Sequence, residues 1–180
     1  ENENGGLPST LPDETTIHGY FQSEKYFSLV EQKIRDEFDC KKEIRQEAMD
    51  LLPDGVLVSL HIRRTDYKKL SHVHTNLEME YYKKAYEHFE GYRPVVFSDD
   101  IEWCKKELKW LGEDTVFFSN DPGIDMLLMS ACNGHIIANS SFSWWGSYLG
   151  QGKTVAPKNW YASQGPKDWS DIYREDWILL

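Results

Sequence analysis

Val56-Leu57-Val58-Ser59-Leu60-His61-Ile62-Arg63-Arg64-Thr65-Asp66 is an apolar run closed by a charged cluster. A run of this length, rich in branched residues, predicts a buried strand that ends in a polar loop. Side chains two apart on a strand project the same way, so His61 and Arg63 share a face. Arg64 then starts on the opposite face, unless the loop has already turned. In an open α/β sheet, ligands sit beyond the carboxyl ends of the strands. Two guanidiniums there suit a phosphate-bearing ligand, because each planar fork pairs two donors with two oxygens. Asp66 can hold one arginine and leave the other free for ligand. A surface ion-pair cluster at a strand end is the competing explanation.

The 180 residues fit one domain with enough apolar side chains for a core. A net charge of -10 argues against non-specific nucleic-acid binding and against attraction to anionic membranes. An acidic chain that binds an anion must gather positive charge locally, which adds weight to Arg63-Arg64. No segment approaches a membrane-spanning length, and no signal peptide is visible. Cys40, Cys104 and Cys132 are odd in number and lack metal-ligand spacing, so they read as ordinary thiols. The sequon Asn139-Ser140-Ser141 falls inside a segment read below as a buried site. A glycosylated, disulfide-bonded secreted domain is therefore disfavoured. A reducing, cytoplasmic compartment is expected, with peripheral membrane association of a longer form left open.

Residues 1–16 are polar, with Gly5-Gly6, Pro8 and Pro12, and read as a flexible N-terminal segment ahead of a domain at 17–180. From Ser23, a plausible N-cap, Tyr26, Phe27, Val30, Ile34 and Phe38 recur at helical spacings. A second helical segment runs from about Lys41 to Leu51 and stops at Pro53-Asp54-Gly55. After the organising strand, helices are expected over 78–89, 102–111, 125–131 and 143–149, with a short one near Ser170–Tyr173. Strands are expected at 95–97, 116–118, 135–138 and 154–156. Alternating strands and helices imply a Rossmann-like α/β domain: a parallel sheet with helices on both faces. The Gly-x-Gly-x-x-Gly fingerprint is absent, which disfavours a nicotinamide or flavin enzyme.

Polar clusters follow successive strands, which places them on one sheet edge: 61–66, 98–100, 119–121 and 139–143. Asn139-Ser140-Ser141-Phe142-Ser143 leads into a short helix, whose N-terminus offers unpaired N–H groups and partial positive charge to a phosphate. One serine can do this simply as an N-cap, but four small polar residues in five exceed that need. Asp125 sits in a first helical turn, favourable for a carboxylate on dipole grounds; alternatively it accepts hydrogen bonds from a base such as guanine. Asp99 and Asp100 resemble an acidic metal motif, but no third ligand is evident. A cap for the helix near Ile101, with one aspartate orienting Arg63 or Arg64, fits better. His72 and His74 lie in the loop after Asp66; solvated or not, an imidazole there can serve as a general base, and His74 joins Arg63 as the candidate catalytic pair. Trp144 and Trp145 read as packing rather than sugar-stacking.

Four segments, in order, resemble the galactoside α-1,2-fucosyltransferases of glycosyltransferase family 11: residues 19–27, His61 to Tyr67, Phe97 to Asp100, and Ile137 to Gly146. The likeness covers roughly 17–180, and its His-x-Arg-Arg-x-Asp element is shared with α-1,6- and protein O-fucosyltransferases. It implies the nucleotide-binding half of a GT-B enzyme that takes GDP-β-L-fucose as co-substrate, with no other cofactor and no metal. It also implies inversion, giving an α-1,2 linkage to a galactose-terminated oligosaccharide acceptor. Arg63 is then expected to grip the diphosphate, with His61 and Asp125 near guanine and Ser141 to Ser143 near the phosphates. Arg64, Asp66, Asp99, Asp100, Asn139 and Ser140 complete the expected donor site. The family's Gly-Gly-Leu-Gly-Asn-Gln segment is not found here: Gly5-Gly6-Leu7 continues as Pro8-Ser9, and too few residues precede Gly19 for the N-terminal half that carries it. The chain is therefore expected to be the C-terminal half of a longer enzyme. Two alternatives stand beside this: a non-catalytic or incomplete nucleotide-sugar-binding module, and a transferase using another GDP-sugar.

Overall fold

The computed structural model describes residues 12–16 and 22–180. Gly5-Gly6-Leu7, Gly19-Tyr20-Phe21 and most of the segment expected to be flexible lie outside them; residues 12–16 are exposed and form no helix or strand. One parallel sheet contains β1 (Leu57–Ile62), β2 (Arg93–Ser98), β3 (Val116–Phe118), β4 (Gly134–Ile136), β5 (Lys153–Ala156) and β6 (Ile178–Leu179). Their spatial order is β3-β2-β1-β4-β5-β6. This is the order of doubly wound dinucleotide-binding folds, which reverses direction between β1 and β4.

Parallel neighbours need crossovers, and helices supply them. α1 (Glu31–Glu37) and α2 (Lys42–Met49) precede β1; α3 (Thr65–Lys69) and α4 (Met79–Tyr86) link β1 to β2. α5 (Ile101–Glu107), α6 (Pro122–Ser130) and α7 (Ser141–Leu149) make the next three crossovers. β1 is buried at every position because both its faces are covered. Val58, Leu60 and Ile62 pack against Tyr82 and Ala85 of α4 and Cys104 of α5. Leu57, Val95 and Phe97 face Ala48 of α2 and Leu128 and Met129 of α6. Fully burying each Val, Leu, Ile, Phe or Met among them is worth roughly 1.5–3 kcal/mol. A third cluster joins Trp144 and Tyr148 of α7 to Ala156, Trp160, Ile172 and Trp177, so the tryptophan-rich tail is core rather than loose loop. Trp145 lies between Phe27 and Phe38, stacked on both, which fits packing.

The structure departs from the sequence expectations at several element ends. The segment after Ser23 forms two short 3-10 turns before α1, not one helix, although Ser23 does accept a hydrogen bond from the Lys25 amide. α7 begins at Ser141, two residues early, with Ser140 as its N-cap. α3 and β6 are additional elements. Cys40, Cys104 and Cys132 are free thiols, the last two buried. Among the described residues no helix is long and apolar enough to cross a membrane.

Candidate donor-binding site

Because every strand runs the same way, the polar segments that follow β1, β2, β3 and β4 do share one edge of the sheet. Those after β1 and β4 flank the point where the strand order reverses, the usual crevice for a nucleotide. Arg63 stands there. Its Nη2 donates to Asp66 Oδ2 at 2.7 Å, and its Nε lies 3.6 Å from Asp99 Oδ2. A guanidinium carries five N–H donors, so these pairings leave part of the fork open. The Arg63 guanidinium in turn holds the Asp66 carboxyl below its ordinary range.

Arg64 goes the other way, as strand parity predicts. Its guanidinium carbon sits 3.3 Å from the centre of the Trp103 ring, and Nε pairs with Asp100 at 3.3 Å. Its side chain is 16% exposed against 34% for Arg63. The division of labour thus differs from expectation: Asp66 holds Arg63, while Arg64 is occupied by α5 and is not the free arginine. Asp99 and Asp100 do orient the two arginines, but neither side chain caps α5. Asp99 accepts from the Arg64 amide at 2.9 Å, from the Thr65 amide at 3.0 Å and from the Thr65 hydroxyl, and so caps α3 instead.

The β4–α7 turn is built mostly of self-satisfied groups. Asn139 is buried and spends its amide on the carbonyls of Thr75 (2.9 Å) and Trp160 (2.7 Å). Ser140 Oγ accepts from the Phe142 amide, and Ser143 Oγ donates inward to the Ala138 and Ser140 carbonyls. Asn139 and Ser143 therefore brace the turn rather than face a ligand. Ser141 is the exposed serine, at the first position of a nine-residue helix. Asp125 is buried near the start of α6, where both carboxylate oxygens accept from the Asn120 amide and Oδ1 also from its Nδ2; burial raises its pKa. Asp121 caps the same helix through the Gly123 amide.

His61, the penultimate residue of β1, has its ring 5.4 Å from that of Phe142, and burial drives its imidazole down to about 4, with Asp99 and Arg63 in electrostatic reach. His74 comes back to the same cluster, where it feels Asp66 and Arg63; burial lowers its pKa too. His72 is exposed. Tyr67, which carries no role in the sequence reading, stacks on His74 at 4.2 Å. Among the described residues five buried side-chain polar atoms lack a hydrogen-bond partner. Three of them, His61 Nδ1, Asp66 Oδ1 and His74 Nδ1, belong to groups coupled to Arg63. Native folds leave few such atoms unpaired, and a water, an ion or a polar ligand would satisfy them. A separate cavity of about 700 Å³ lies between α6 and the α1–α2 turn, lined by Phe38, Ile44, Ile124 and Leu127, and contains none of these residues. Among the described residues no group of three His, Cys, Asp or Glu side chains converges to hold a metal ion.

Two solved structures share this fold. They are the ADP-heptose lipopolysaccharide heptosyltransferase II of Escherichia coli and a family 9 glycosyl transferase of Veillonella parvula, both at TM-score 0.55, with 13% and 17% identity. Each is matched over 79% of this chain but only 44% and 42% of its own length, so the fold is that of one half of a GT-B glycosyltransferase. Residues 9–180 match the sequence model of glycosyl transferase family 11, and the chain belongs to that family. It is 36% identical to an α-1,2-colitosyltransferase of Escherichia coli over 90% of this chain and 61% of that protein. It is 28% identical to galactoside α-(1,2)-fucosyltransferase 2 of Sus scrofa over 83% of this chain and 50% of that one. The chain thus spans about half the length of the curated relatives it matches.

Proposed function

We propose that this chain is the donor-binding portion of an inverting, metal-independent α-1,2-fucosyltransferase that uses GDP-β-L-fucose and a galactose-terminated acceptor. The observation that supports the proposal most is the match of residues 9–180 to glycosyl transferase family 11, with the partly open fork of Arg63 following β1, where the strand order reverses. In the proposed reaction the acceptor 2-hydroxyl attacks fucose C1 from the face opposite GDP. Negative charge grows on the departing diphosphate, and the open part of the Arg63 fork and the first-turn amides at Ser141 oppose it without reorganising. His61, neutral at pH 7, offers the guanine or sugar side a hydrogen bond and no charge. His74 is also held toward its neutral form, the state a general base needs. Asp125 faces the guanine edge in this scheme, with Asn120 fixing its carboxylate.

Similarity to a colitosyltransferase favours a second donor, GDP-colitose, whose sugar lacks one hydroxyl of fucose. A site built to hydrogen-bond that hydroxyl discriminates strongly against its absence, so the two donors are separable by affinity. A calorimetric panel of GDP, GDP-fucose, GDP-colitose, GDP-mannose and UDP-sugars tests both. Tightest binding of GDP-fucose supports the proposal, tightest binding of GDP-colitose replaces the sugar, and preference for UDP overturns the guanine assignment. Incubation with GDP-fucose and lactose then asks whether this chain alone forms fucosyllactose or is a binding module.

A further inference from the structure

Tyr67, the third residue of α3, meets His74, Arg63 and the residue before the α7 cap. Its ring lies parallel to His74, with 4.2 Å between centroids and 9° between planes. The Arg63 guanidinium carbon is 5.7 Å from the centre of the same ring. Its hydroxyl donates to the Asn139 carbonyl at 2.9 Å, immediately before the α7 cap. Burial pushes the phenol up to about 12, so it stays protonated and a donor at neutral pH. Arg63 follows β1, His74 lies between α3 and α4, and Ser141 opens α7, so the three come from separate parts of the chain. We infer that Tyr67 is a positioning residue whose ring orders Arg63 and His74 and whose hydroxyl ties both to the N-terminus of α7. This rests on the donor-site assignment above and deepens it.

Two variants separate the ring from the hydroxyl. Tyr67→Phe keeps the stack and loses the bond to Asn139; Tyr67→Leu loses both. The His74 titration midpoint is followed by NMR, assigned with His74→Gln, and GDP affinity by calorimetry, in wild type and both variants. The His74 midpoint is expected to stay put in Tyr67→Phe and to rise in Tyr67→Leu, where the imidazole regains water. GDP affinity is expected to fall about two- to tenfold in Tyr67→Phe, the worth of one hydrogen bond, and further in Tyr67→Leu. An unmoved His74 midpoint in Tyr67→Leu, or undiminished affinity in Tyr67→Phe, would overturn the inference. Should Tyr67→Leu fail to fold, the wild-type His74 ring protons decide: the stack requires their resonances upfield of free imidazole, and free-imidazole positions would refute it. The two levels fail differently. No GDP binding by wild type defeats the donor-site assignment, whereas wild-type binding with an unmoved midpoint defeats only the role of Tyr67.

Discussion

Arg63 and Arg64 are neighbours with the same side chain, and the fold gives them opposite surroundings. Arg64 is clamped between Trp103 and Asp100, a desolvated cation–π contact worth about 2 kcal/mol. Arg64→Ala is therefore expected to lower urea-unfolding stability by about that amount and to weaken GDP binding far less than Arg63→Ala. Equal losses of GDP affinity in the two variants would contradict the division. The alternation of side chains along β1 was enough to send the arginines to different faces. It could not say which one stays open, because Asp99, Asp100 and Trp103 come from the far end of β2 and from α5. The direction of a hydroxyl was equally illegible: Ser141 and Ser143 look alike in sequence, yet one is exposed and the other donates inward to Ala138.

The helices differ in where their instructions lie. α6 is announced locally by Asp121 and Pro122 at its start, and it lies within three residues of the expected 125–131. α3 has no local cap; its first amides bond to Asp99, which stands 34 and 35 positions further along the chain. Nothing within its own five residues reveals it. Asp99→Ala should consequently fray α3, cost about 1–2 kcal/mol of stability and loosen Arg63, measurable as paired drops in melting temperature and GDP affinity. A variant with wild-type affinity and lowered melting temperature would show that Asp99 serves the helix alone. α7 approaches α6 through Gly146, where an added Cβ would stand 2.3 Å from Met129 Sδ. Gly146→Ala is expected to cost about 1–3 kcal/mol by overpacking. Pairing it with Met129→Ala should return less than the summed single losses in a double-mutant cycle; strict additivity would mean that the two positions do not meet.

At the scale of the molecule, alternating elements identified a parallel sheet, but strand order was not written in any local pattern. It depends on which crossovers pack, and only the assembled sheet puts the reversal between β1 and β4. β6 has no signature in the sequence because two residues make too short an apolar run. The sheet also buries two imidazoles. His61 at the end of β1 and His135 in β4, the latter bonded to Ser59 Oγ at 2.8 Å, are both pushed by burial from 6.5 to about 4. In the unfolded chain they protonate more readily, so that state binds more protons between pH 6.5 and 4. Stability is accordingly full above that window, falls as pH drops through it, and levels out with respect to these groups below about 4. Each contributes up to roughly 3 kcal/mol at 1.36 kcal/mol per pH unit. Urea denaturation at a series of pH values should show the decline, and His135→Gln should remove about half of it, the share of His61 remaining; a slope untouched by that change would mean His135 does not titrate there.

The central claim is that the open part of the Arg63 fork and the N-terminus of α7 together receive a nucleoside diphosphate. Calorimetric titration of GDP into wild type and Arg63→Ala tests this most directly. Saturable one-to-one binding by the wild type, lost beyond detection in a folded Arg63→Ala, is the predicted result; equal affinity in the two proteins would contradict it.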